Sequence, residues 1–134
     1  MYLTVIRLIA LFFLLGLFSC SNQVEYIELE VLVSDTVKIE EKVLARIYSN
    51  NSDWKIVKAY FECEDKLKAD KVDALNETIE GCSKELFVRN DTVIIQFTPT
   101  KLGLNDFGKI KTLMKKGSDK FKVLESDFSY IVIQ

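Results

Sequence analysis

Few side chains in this sequence can do covalent or metal chemistry. There is no histidine, which removes imidazole acid–base catalysis, the Ser-His-Asp triad and histidine metal sites. Carboxylates gather at Glu62, Glu64, Asp65, Asp70 and Asp73. None falls into the Asp-x-Asp-x-Asp-Gly spacing of a calcium loop, so they read as a solvated face mixed with lysines. Gly-x-Ser-x-Gly is missing, and so is any glycine loop that would cradle phosphate. The expectation is a non-enzyme with no catalytic residue, no cofactor and no metal. Three cysteines, Cys20, Cys63 and Cys82, carry the remaining chemistry.

Cys20 has a distinctive setting. Arg7 precedes an apolar run from Leu8 to Phe18, and polar Ser21, Asn22 and Gln23 follow the cysteine at once. About eleven apolar residues are too few to span a bilayer, and the pattern is that of a secretion signal. Leu17-Phe18-Ser19-Cys20 resembles a bacterial lipobox. That resemblance implies cleavage before Cys20 and lipidation of its thiol. Residues 1–19 are then a lipoprotein signal peptide, 20–25 a tether and 26–134 one domain. It also implies an envelope protein, held at a membrane, most simply the outer one, by its acyl chains. The competing reading is a plain secreted protein with a structural Cys20.

If Cys20 carries lipid, Cys63 and Cys82 remain. Two cysteines in an exported protein most simply form one disulfide, the alternative being two free buried thiols.

The elements that must position these residues are read from periodicity. Alternation from Tyr26 to Val33 places Ile27, Leu29, Val31 and Val33 on one face, with Glu28 and Glu30 opposite. Val37 to Ile47 continues as a strand. Trp54 to Cys63 is a third, with Val57, Ala59, Phe61 and Cys63 on one face and Trp54, Ile56 and Tyr60 on the other. Leu67, Val72, Leu75 and Ile79 are spaced more like a helix, so 66–80 is a short helix or an irregular crossover. Asn90-Asp91 joins Leu86–Arg89 to Thr92–Thr98 as a tight hairpin. Lys116 to Asp119 joins Lys109–Lys115 to a final run, Phe121 to Ile133. About seven strands predict an all-β, antiparallel, immunoglobulin-like sandwich.

Thr98-Pro99-Thr100-x-x-Gly103, Phe107-Gly108-Lys109-Ile110 and the terminal Tyr130-Ile131-Val132 resemble the immunoglobulin-like modules of Bacteroidetes envelope and gliding-motility proteins. The likeness covers the C-terminal part of the chain and implies a fold, with no activity attached. Asp35-Thr36-Val37 and Asp91-Thr92-Val93 resemble the Bacteroidetes O-glycosylation acceptor, making Thr36 and Thr92 candidate sites. Trp54 follows the polar turn Asn50 to Asp53; it is either a binding contact or a core residue. Lys and Arg total 18 against 20 for Asp and Glu, a net charge of −2. That balance lacks the basic stripe of a nucleic-acid binder. The function expected is a non-catalytic envelope module, binding a protein or glycan or supporting an assembly. The alternative is a small periplasmic inhibitor or immunity protein acting on one enzyme.

Overall fold

The computed structural model describes residues 25–64 and 70–134. Among them are twelve strands and no helix: β1 Leu29–Leu32, β2 Thr36–Lys38, β3 Val43–Ser49, β4 Lys55–Phe61, β5 Val72–Asp73, β6 Thr78–Ile79, β7 Lys84–Arg89, β8 Thr92–Phe97, β9 Gly103–Asp106, β10 Ile110–Lys116, β11 Lys120–Ser126 and β12 Ser129–Ile133. The all-β fold follows from the alternation. In β3, Val43, Ala45 and Ile47 are buried while Leu44, Arg46 and Tyr48 face solvent. In β8, Val93 and Ile95 are buried between polar or half-buried neighbours.

Seven strands form one sheet in the order β1-β3-β8-β7-β4-β10-β11, with antiparallel neighbours throughout. The sheet curls until β1 and β11, its two ends, approach each other. Strand β7 makes the corner. Its first half, Lys84 to Leu86, pairs with β4, and its second half, Phe87 to Arg89, pairs with β8. Between the two layers lies a core of Val43, Ala45, Ile47, Trp54, Ile56, Ala59, Val93, Ile95, Ile110 and Met114. A three-stranded sheet, β2-β12-β9, closes it with Val37, Tyr130 and Val132. The architecture is sandwich-like, with more strands than the seven expected.

Two long predicted strands are broken, each where the chain changes sheets. Val37–Ile47 becomes β2 and β3, separated by a turn in which Glu40 adopts φ 63°. There the Ile39 and Glu40 amides bond to the carbonyls of Ile133 and Pro99. Phe121–Ile133 becomes β11 and β12, parted at Asp127-Phe128, where Phe128 turns into the core and its carbonyl accepts from the Phe107 amide. One pairing departs from the antiparallel expectation: β2 lies parallel to β12, with Val37 beside Val132.

The face assignment for β4 also needs correction. Thr112 of β10 pairs with Ala59 and Leu113 with Lys58, but Met114 pairs with Ile56, leaving Val57 as an extra residue. This bulge reverses the parity. Trp54 and Ile56 therefore join Ala59 in the core, while Val57 and Tyr60 face the other side of the sheet. On that side Tyr60, Leu113 and Ile79 form a second buried cluster.

Of the two readings of 66–80, a short helix or an irregular crossover, the helix is not formed over the described part. Val72 pairs with Ile79 and Asp73 with Thr78, giving a hairpin of two-residue strands. Residues 66–69 of that span lie outside the described residues. The Asp73 carboxylate accepts from the Leu75 and Asn76 amides at 3.0 and 3.1 Å and from the Asn76 side chain at 2.7 Å. Such local bonds favour a turn over a helix. The predicted hairpin at Asn90-Asp91 is present, both residues having positive φ.

Candidate functional site

Cys20 and the lipobox lie outside the described residues. Cys63 and Cys82 form a disulfide, with Cα atoms 4.4 Å apart, and the loop it closes contains the β5–β6 hairpin. Thr36 is exposed at the start of β2, just after Asp35, whose carbonyl accepts from the Ile131 amide. Thr92 is half-buried at the start of β8, and its hydroxyl donates to the Asn90 carbonyl at 3.3 Å.

Trp54 is 7% exposed and belongs to the core. Its indole N–H donates to Glu25 Oε2 at 3.1 Å, and Lys122 Nζ lies 6.0 Å from the ring centroid. Glu25 also accepts from Lys116. The Lys116 bond, then the indole bond, hold the Glu25 carboxyl below its ordinary value. This indole therefore fixes the start of the described chain instead of offering a surface contact.

No group of three or more potential metal ligands occurs among the described residues. Within the acidic run, Glu62 pairs with Lys84 and Asp70 with buried Lys111 at 2.5 Å, Asp73 accepts from its own turn, and Asp65 lies outside the described residues. Ser52 and Lys55 share the Ser-x-x-Lys spacing of serine–lysine hydrolases. Both are exposed, and Asp91 holds the Lys55 ammonium at 3.0 Å. A desolvated lysine base beside a serine is thus not assembled there.

A cleft lies where β7 leaves β8. Phe87 pairs with Ile94, and the ladder stops there. In a two-residue hairpin the pairs that exchange hydrogen bonds alternate, so Glu85 and Gln96 would form the next one. They do not pair, because Lys84 to Leu86 have turned to β4. The strands splay, and among the described residues the main-chain groups of Gln96 on that side have no ladder partner. A wedge of ≈ 530 Å³ opens here, lined by Phe61, Leu86, Phe87, Ile95, Phe97 and Phe107, with Glu85, Ile94 and Gln96 also contributing. Phe107 packs against Phe97 and Phe61 at centroid distances of 5.5 and 6.3 Å. Phe87, at 63% exposure, stands at the mouth.

Sequence reasoning did not find this wedge, although one signal was present. In Lys84-Glu85-Leu86-Phe87-Val88-Arg89, Phe87 shares its parity with Glu85 and Arg89, so an aromatic ring occupies the charged, outward face. Compared with known proteins, this chain matches no family model, no curated protein and no solved structure.

Proposed function

We propose that this protein is a membrane-anchored envelope lipoprotein whose β-domain is a non-catalytic recognition or structural module. The observation that carries the reading is Leu17-Phe18-Ser19-Cys20 closing a short apolar run, with only a few polar residues before the domain. Several acyl chains on one cysteine hold a soluble domain firmly, since each buried methylene contributes about 0.8 kcal/mol. The Cys63–Cys82 disulfide suits an oxidising compartment. The absence of histidine supports recognition over catalysis. The resemblance to Bacteroidetes immunoglobulin-like modules supports the same reading, with a protein or glycan of the envelope as the partner and Thr36 and Thr92 as glycosylation sites.

The test is detergent-phase partitioning and radiolabelled palmitate incorporation for the wild type and for Cys20→Ala. The expected result is a labelled, detergent-phase wild type and an unlabelled, aqueous-phase variant. Unchanged partitioning and labelling in the variant would overturn the anchor.

A further inference from the structure

We propose that the wedge between β7 and β8 is a binding site for an extended peptide, which adds as a strand to the free edge of β8. The proposal deepens the recognition-module reading and rests on it. It stands on backbone, packing and charge together.

Strand β8 is paired on one side along its whole length, from Thr92 with Tyr48 to Phe97 with Val43. On the other side its ladder ends at Ile94. The N–H and C=O of Gln96 face that open side. A strand laid there would meet a ready donor and acceptor. The opening beside it is the wedge of ≈ 530 Å³ left where the neighbouring chain turns away to β4.

Packing sets which residues fit. Side chains of an added strand alternate between the two sides. The inward ones enter the cleft floored by Phe61, Phe97 and Phe107, which accepts an aliphatic or aromatic group. The outward ones stand beside Gln96 and Glu85, near the exposed ring of Phe87. Glu85 makes no ion pair among the described residues, whereas Lys84 next to it is held by Glu62. An outward Lys or Arg in the peptide complements that carboxylate. The ligand is therefore an extended segment alternating apolar and basic residues. A second copy of this chain is the competing occupant.

The experiment uses the protein as purified from membranes or culture, kept in detergent micelles, and two fluorescein-labelled heptapeptides, one alternating Lys with Val and one alternating Glu with Val. Amide hydrogen exchange and fluorescence anisotropy are the readouts. The Gln96 amide should exchange rapidly in the free protein and slow when the Lys–Val peptide binds. That peptide should bind roughly tenfold more tightly than its Glu–Val counterpart. Phe87→Ser, at an exposed position, should weaken it about fivefold with unfolding unchanged. Gln96→Pro, which removes the donor, should abolish binding. A control change at Leu75, 91% exposed and remote from the wedge, should do nothing. A Gln96 amide already protected in the dilute free protein overturns the proposal. So do equal affinities for the two peptides, no binding, or self-association that protects Gln96 without peptide. None of these outcomes alters the partitioning of Cys20→Ala, so the anchor reading fails or stands separately.

Discussion

The sheet made by β4 and β10 is covered on both faces, but by different means. On the inner face, Ile56, Ala59, Ile110 and Met114 meet a whole opposing layer and the closing sheet, joined by Trp54 and Tyr130. On the outer face, Tyr60 and Leu113 are covered by β5–β6, a hairpin whose strands are two residues each. A hairpin that short does not hold itself together in water. It is tied down instead. The Cys63–Cys82 bond closes its base, and two outward lysines of β10, Lys111 and Lys115, reach Asp70 and Glu77. One cluster is stabilised by layer burial, the other by cross-links around a small apolar centre.

The largest loss of stability is expected at Trp54. Truncating a buried aromatic costs about 3–5 kcal/mol, so Trp54→Ala should lose about that much in urea unfolding, with an unchanged slope. A loss under about 1 kcal/mol would remove the indole from the inner core.

Next comes the outer cluster. Closing a loop of this length contributes about 3 kcal/mol in the chain-entropy model. Cys63→Ser combined with Cys82→Ser should therefore lose about 2–4 kcal/mol, and the loss should begin locally. The Ile79 and Glu80 amides should exchange well before those of Ile47 and Val93. Burial first, and the Glu85 charge second, push the Tyr60 phenol above 10.0. In the double variant its titration should move back down. Simultaneous loss of protection at Ile79 and Ile47 would show the two clusters to be one cooperative unit.

These regions differ as much in legibility as in build. Along β1, β3 and β8 the alternation of apolar residues could be read directly, because each has one buried face. The outer hairpin could not. Val72 and Ile79 are seven apart, a spacing shared by two helical turns and by two strands facing across a four-residue turn. The Asp73 carboxylate, bonding the next two amides but one, decides for the turn. The parity of β4 was misread for a different reason. Val57 bulges only because β10 pairs on either side of it, a non-local fact. The disulfide was legible because so few cysteines remained. The wedge was not, since it depends on where β7 changes partners, and Phe87 alone marked its mouth.

A smaller effect is expected inside the inner core. Thr112 is 0% exposed, and no group among the described residues bonds its Oγ1. A buried hydroxyl without a partner retains its desolvation cost, and replacement by an apolar group of the same shape is neutral to stabilising. Thr112→Val should therefore raise stability by up to about 1 kcal/mol. A loss of more than about 1 kcal/mol would show the hydroxyl to be satisfied within the fold.

The smallest effect concerns how the chain enters the inner core. Glu25 accepts from Lys116 and from the Trp54 indole, and these bonds lower its carboxyl from the ordinary 4.5, the Lys116 bond most of all. The folded form thus prefers the carboxylate more than the unfolded chain does. By linkage, the stabilisation is fully present above the unfolded value and is lost as pH falls through the lowered folded one. Acid unfolding curves of the wild type and Glu25→Gln should differ near neutral pH and converge as pH falls past the ordinary 4.5 and through the lowered folded value. Glutamine keeps an acceptor for the indole but cannot carry the charge that Lys116 meets, so the comparison isolates the ionic part. The group is solvent-exposed and salt-screened, so the gap should also shrink in high salt. A gap that persists unchanged in acid would mean that Glu25 acts on Trp54 by packing or by its neutral hydrogen bond alone. The hold on the inner core at this end would then be independent of charge, unlike the lysine ties that fasten the outer hairpin.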